Sequence, residues 1–111
     1  MEITESRQGA VTVVKPTGPL CRADTPAFKS RLAEATSMSL GRLVIDAGGI
    51  AFVDSAGLEA ILDVSEQLGA SGLTLKLCGL NETVREVLEL TGLTEGIEHY
   101  DDVHAAVRSF L

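Results

Sequence analysis

Apolar residues recur along this chain at two spacings, which predict strands alternating with helices. Four segments, at 10–15, 42–47, 73–77 and 96–100, are short apolar runs or alternate between apolar and polar side chains, as strands do. The polar segment before Gly9 turns back onto the first of them and is predicted to be an edge strand. Between the strands, apolar residues three or four positions apart predict helices. The order β-β-α-β-α-β-α-β-α indicates a mostly parallel sheet with right-handed crossovers.

The first predicted helix carries start signals. Asp24 or Thr25 can cap it, and Pro26 suits the first helical position, where a missing N–H is tolerated. Pro16 and Pro19 are predicted to bracket the loop that leads into this helix. One face of the helix is predicted to be buried through Phe28, Leu32 and Ala35.

The later helices are delimited in the same way. Asn81 and Asp101 are the predicted caps of the third and fourth helices. Gly92 followed by Leu93 predicts a left-handed stop with an apolar contact back to the third helix. The second helix follows Asp54, and one stripe of its residues is predicted to be buried: Leu58, Ile61, Leu62, Ser65 and Leu68.

The composition fits one domain over residues 1–111, since 45% of the 111 residues are apolar. A net charge of −7 argues against binding to nucleic acid or to acidic phospholipid, because no basic stripe is available to displace phosphate counterions. The N-terminus lacks the basic and apolar segments of a signal peptide, and no apolar run approaches the roughly 20 residues that span a bilayer. We therefore expect a cytoplasmic protein with no direct membrane insertion.

The side chains that could carry catalysis are few and scattered. His99 and His104 lie five residues apart, a spacing that does not place two metal ligands on one helical face. The two cysteines have no CxxC partner and are expected to be reduced, and no glycine-rich phosphate motif is present. Asp46 and Asp54 flank one loop, where they either bind Mg²⁺ or end a strand and cap a helix, and composition favours the second interpretation. We predict no catalytic residue, no metal, no cofactor and no enzymatic activity.

One segment combines a strand, a loop and a helix start in a recognisable order. An apolar strand ends at Asp46, a short loop follows, and Asp-Ser-Ala-Gly-Leu at 54–58 opens a helix. This arrangement resembles the STAS domain, a family named after sulfate transporters and anti-sigma factor antagonists. The V.V..P.G.L pattern at 11–20 and the segment 73–93 are also similar, so the resemblance covers nearly the whole chain. It implies an α/β fold in which a mixed, mostly parallel sheet carries about four helices, packed mainly on one face.

The resemblance also implies a function. Anti-sigma factor antagonists of this family are binding modules: they bind an anti-sigma factor, often itself a serine kinase, and so free a sigma factor. The partner-binding surface is predicted to centre on the loop at 48–54 and the start of the second helix, because small residues at a helix N-terminus let another backbone approach closely. A larger residue at position 57 is expected to block docking without unfolding the domain. The candidate residues are Gly49, Asp54, Ser55, Ala56 and Gly57.

The chain departs from the antagonist pattern at two positions. The residue phosphorylated in the family stands immediately before the glycine, and that position here is Ala56, which has no hydroxyl. Ser55 remains as a candidate phosphosite, although it can instead cap the helix or face the loop. Cys21 stands where many antagonists carry an aspartate, which removes a polar contact associated with kinase or nucleotide recognition.

A second branch of the family offers an alternative. Asp-Ser-Ala-Gly-Leu is also similar to the small cytosolic STAS subunits that bind the ATPase of bacterial phospholipid-transport ABC systems. Those domains tend to be shorter, whereas this chain continues into a full last helix at 101–110, as the antagonists do.

Overall fold

The computed structural model describes residues 1–92 and 96–111, in which the strands form one sheet in sequence order. The strands are β1 (Glu2–Gln8), β2 (Val11–Thr17), β3 (Leu43–Asp46), β4 (Leu75–Cys78) and β5 (Ile97–Tyr100). The helices are α1 (Thr25–Met38), α2 (Ser55–Ala70), α3 (Glu82–Leu90) and α4 (Val103–Arg108). Only β1 runs antiparallel to its neighbour; the other pairs are parallel. The predicted element order, the polar edge strand and the mostly parallel sheet are confirmed.

Helices cover both faces of the sheet unequally. The residues of α1, α2 and α3 pack into one cluster with the inner residues of β2, β3 and β4. On the opposite face, α4 packs against the sheet through Ala106, beside Val13, Val44 and Cys78. Val44 is fully buried because β3 is covered on both faces. This double coverage explains why the sequence of β3 is nearly all apolar. The expectation of about four helices mainly on one face is confirmed.

The sequence predicted that a loop begins at Pro16 and ends at Pro19, and the predicted start of this loop is wrong. Strand β2 continues through Pro16, which lies opposite Ile3 of β1. The Thr12 N–H donates to the Arg42 carbonyl on the β3 side, and the two-residue period of a strand points the Pro16 nitrogen to that same side. The pairing with β3 stops at Val14, so the missing N–H of Pro16 interrupts no ladder bond.

Helix α1 buries the predicted face through Phe28, Leu32 and Ala35. Asp24 occupies the capping position, yet its carboxylate accepts no hydrogen bond from the helix. It accepts instead from the Cys21 N–H at 3.3 Å and from the terminal ammonium at 3.2 Å. Because α1 begins at Thr25, Pro26 is its second residue rather than its first, a position that also needs no intrahelical N–H bond.

The buried stripe of α2 differs from the predicted one. Its buried residues are Gly57, Ala60, Ile61, Val64 and Leu68. Leu58, Leu62 and Ser65 are only half-buried, so three of the five predicted positions lie at the flank of the contact. Gly57 and Ala60 are the small members of this stripe, and at Gly57 the helix approaches the segment that follows β2 closely.

The remaining helix boundaries agree with the sequence except at α4. Asn81 caps α3, since its side chain accepts from the Val84 N–H at 2.8 Å. Gly92 has a φ of +72°, the predicted left-handed stop, while its neighbour Leu93 lies outside the described residues. The cap of α4 is Asp102, which accepts from the Ala105 N–H at 2.8 Å, and not Asp101. In the described part of the chain, no helix is both long enough and apolar enough to cross a membrane.

Candidate partner-binding site

The predicted loop lies where β2 and β3 end and α2 begins. Asp46, the last residue of β3, accepts from the Gly48 N–H at 3.1 Å and so starts a short 3-10 turn at Ala47–Gly49. The chain then runs beside the segment that follows β2: the Leu20 N–H donates to the Phe52 carbonyl at 3.0 Å. The loop is therefore closed at its start by Asp46 and bonded to the segment that follows β2.

Asp54 connects the loop to the helix. One carboxylate oxygen accepts from the Gly57 N–H at 2.7 Å, which caps α2, and the other accepts from the Arg22 N–H at 3.0 Å. These two backbone donors, Gly57 first, stabilise the charged form and hold the pKa of the Asp54 carboxyl below its ordinary value. Together with the turn at Asp46, this geometry supports the structural interpretation of the two aspartates, because both carboxylates accept from backbone N–H groups.

Cys21 occupies a half-buried position beside the Asp54 carboxylate. Burial and the negative charge of Asp54 raise the pKa of its thiol, so the neutral thiol is favoured. A cysteine at this position places an uncharged group next to Asp54, where a second aspartate would face it with like charge.

Gly57 contributes packing rather than exposed surface. It is buried, and a Cβ at this residue would lie 2.2 Å from the carbonyl oxygen of Leu20. The expectation that a larger residue at 57 would block docking without disturbing the fold is therefore wrong. The glycine is needed because the first turn of α2 touches the backbone that follows β2.

Gly49 is also held by its neighbours. It is half-buried, and a Cβ there would lie 3.0 Å from the Pro16 carbonyl oxygen and 3.2 Å from the Thr17 hydroxyl. Its own carbonyl accepts from the Gly18 N–H at 2.9 Å. The structure thus brings all five candidate residues to one corner of the fold, with the two glycines on its inner side.

Ser55 and Ala56 form the accessible part of this corner. Ser55 is exposed at the first position of α2, and Asp54 rather than Ser55 caps the helix. Ala56 is half-buried in a shallow depression that Arg22 and Glu59 also line. The hydroxyl of Ser55 is thus accessible, whereas position 56 presents a methyl group at the edge of the depression.

Phe52 and Asn81, which the sequence did not assign to this site, complete it. Phe52 is 49% exposed, although it stands in the apolar run at 50–53. The Asn81 amide donates to the carbonyls of Ile50 at 3.2 Å and Ala51 at 2.9 Å, so the residue that caps α3 also holds the loop. The capping signal at Asn81 was visible in the sequence, but its contact with a loop 30 residues earlier was not.

The family model of the STAS domain matches residues 2–106, which include this corner and every strand. The chain belongs to the STAS domain family. One curated relative is BtrV of Bordetella bronchiseptica, which is provisionally named an anti-sigma factor antagonist. This STAS domain is 28% identical to it over 110 residues, which cover 99% of the chain and 95% of BtrV.

Solved structures share the fold of this STAS domain. A provisionally named anti-sigma factor antagonist from Thermotoga maritima superposes with a TM-score of 0.86 at 21% identity, covering 96% of this chain and 92% of that one. The unphosphorylated form of the anti-sigma factor antagonist SpoIIAA superposes with a TM-score of 0.73 at 15% identity, covering 98% and 96%. At these identities the likeness establishes the fold alone.

Proposed function

We propose that this STAS domain is an anti-sigma factor antagonist: a non-catalytic module that binds an anti-sigma factor and thereby frees a sigma factor. The observation that carries the proposal is the similarity to BtrV, which extends over 99% of the chain. The solved neighbours with the same full-length coverage bear the same description. The proposal takes residues 1–111 as one domain that acts in the cytoplasm, where sigma factors work.

The proposed docking surface, called here the α2-start surface, comprises Phe52, Ser55 and Ala56. Phe52 offers an exposed aromatic ring, the side-chain type enriched at the centre of protein interfaces. Ser55 and Ala56 are small, so a partner backbone can approach the start of α2. Asp54 and Asn81 fix the loop by hydrogen bonds, which reduces the entropy lost when a partner binds.

We further propose that binding is the default state of this protein. In the family, phosphorylation of the residue before the glycine breaks the complex, since a phosphate adds about −1.5 to −2 charges to a packed contact. Ala56 cannot accept a phosphate. Control of binding then comes from the amount of protein, from a competing phosphorylatable relative, or from the exposed hydroxyl of Ser55.

The partner class is tested with purified proteins from the organism that encodes the chain. Each anti-sigma factor and serine kinase of that genome is titrated against the STAS domain by calorimetry, and so are the ATPases of its lipid-transport ABC systems. The proposal expects saturable binding to an anti-sigma factor. Binding to an ABC ATPase alone would contradict it and support the alternative branch.

The docking surface is tested with charge substitutions on one helix. Ser55→Glu and Ala56→Glu place a carboxylate on the α2-start surface, whereas Gln67→Glu adds the same charge at an exposed position near the other end of α2. We expect the first two to weaken partner binding at least tenfold and the third to leave it unchanged, with all three folded by circular dichroism. Equal binding by all three would show that the partner docks elsewhere.

A further inference from the structure

A groove of about 570 Å³ lies on the sheet face that α4 covers, beside the first residues of β2 and β3. The α2-start surface lies at the other ends of these strands. Apolar side chains of Val11, Val107 and Phe110 line the groove. Its volume falls within the roughly 300–1,000 Å³ that is usual for sites of small molecules.

The rim of this groove carries basic side chains. Arg42, His104 and Arg108 all line it, and among the described residues the only acidic group in the lining is the terminal carboxylate of Leu111. This is unusual in a chain that has 16 acidic residues and a net charge of −7. His104 and Arg108 are four residues apart, which places them on the same side of the helix end.

The two rim arginines have no carboxylate partner within the described residues. In this part of the chain, Arg31 forms an ion pair with Glu5, and Arg85 forms one with Glu89. Arg42 and Arg108 form none, with the carboxylate of Leu111 or any other described group, so both guanidinium groups are available to a ligand. An apolar concavity with two such guanidinium groups at its mouth has a positive potential that attracts anions.

The groove is formed by residues that are already held in place. The Arg42 carbonyl accepts from the Thr12 N–H at 2.9 Å, which fixes the start of β3 beside β2. On the opposite side, the Lys76 ammonium donates to the Ser109 hydroxyl at 2.8 Å and lies 3.9 Å from the centre of the Phe110 ring. A ligand therefore meets a preformed apolar surface, which lowers the entropy cost of binding.

We propose that this groove binds a small amphipathic anion, with its acidic head between Arg42 and Arg108 and its apolar tail against Val11, Val107 and Phe110. The acidic head matches the unpaired guanidinium groups, which bind carboxylate or phosphate oxygens. The apolar tail matches the surface between them. The site is separate from the α2-start surface, so this proposal stands or fails independently of the proposed function.

Three probes separate the contribution of the charge from that of the tail. Decanoate carries both, decanol carries only the tail, and acetate carries only the charge. Each is titrated into the ¹⁵N-labelled full chain below its aggregation concentration while backbone amide shifts are recorded. We expect saturable shifts at Val11, Arg42 and residues 104–110 with decanoate, and affinities at least tenfold lower for decanol and acetate. Equal affinity for decanol and decanoate would overturn the proposal, and so would decanoate shifts confined to other parts of the chain.

Substitutions at the rim test the role of the two charges. Arg42→Gln and Arg108→Gln change exposed side chains, so the fold should be kept, and each is expected to weaken decanoate binding about two- to fivefold. Arg85→Gln, on α3 and outside the groove, is the matched control and should leave decanoate binding unchanged. Unaltered decanoate affinity in the Arg42→Gln/Arg108→Gln double variant would rule out the proposed head site.

Discussion

Gly57 and Leu20 lie so close that a single added carbon at Gly57 would stand 2.2 Å from the Leu20 carbonyl oxygen. This contact brings the first turn of α2 against the segment after β2, and the same segment is tied to the Asp54 carboxylate through Arg22. The start of α2 is therefore positioned by backbone contacts, and its exposed side chains are left to face a partner.

The contact at Gly57 gives a direct prediction for stability. Gly57→Ala should lower the free energy of unfolding by about 1–3 kcal/mol, the usual cost of overpacking, although alanine is the better helix former. Gly69→Ala is the matched control: it lies in the same helix, and its added Cβ would meet nothing within 4 Å. That substitution should raise stability by up to about 1 kcal/mol. Urea unfolding measures both, and equal effects of the two substitutions would show that the contact with Leu20 is not limiting.

The lowered pKa of Asp54 predicts that the stability of the fold depends on pH. Its pKa is depressed below the ordinary 3.8 by the Gly57 and Arg22 N–H groups, so its contribution is fully present above the ordinary value. That contribution is lost as the pH falls through the depressed value. The wild-type protein should therefore lose stability more steeply below about pH 4 than Asp54→Asn, which cannot titrate. Unfolding in urea at a series of pH values measures this, and identical slopes for the two proteins would contradict it.

Asn81 is expected to have two separable roles. Asn81→Ala removes both the α3 cap and the bonds to the Ile50 and Ala51 carbonyls, and should lower the free energy of unfolding by roughly 1–2 kcal/mol. Asn81→Asp keeps an acceptor for the Val84 N–H but has no donor for the two carbonyls. It should preserve the helix while loosening the loop at 50–54, which hydrogen exchange of the loop amides would detect. Unchanged exchange in Asn81→Asp would show that other bonds hold the loop.

Position 56 gives a prediction about regulation. With ATP and its serine kinase, the wild-type protein should keep its partner, whereas Ala56→Ser should become phosphorylated and lose binding at least tenfold. Mass spectrometry locates the phosphate and calorimetry measures binding. Ala56→Ser without ATP serves as the control and should bind like the wild type. Stoichiometric phosphate on wild-type Ser55 with loss of binding would refute the proposed default state.

The sequence predicted the order of the elements because their apolar periodicities are local and strong. It also predicted the cap at Asn81 and the strand end at Asp46, where a single residue type carries the signal. It also placed Ser55 and Ala56 at the start of a helix, because the residues that carry that signal are contiguous, while their role in partner binding stays a prediction. These features depend on interactions over a few residues, which a sequence displays directly.

Other features depended on contacts between distant segments. Pro16 belongs to β2 because the pairing with β3 stops before it, and Gly57 is buried because α2 approaches Leu20. Contacts between distant segments also leave Phe52 exposed and bring Asn81 to the Ala51 carbonyl. They place Arg42 and Arg108 at one groove. Hydrophobic periodicity determines which elements form, but the distance between two elements and the residues they leave exposed are set only when the whole core packs together.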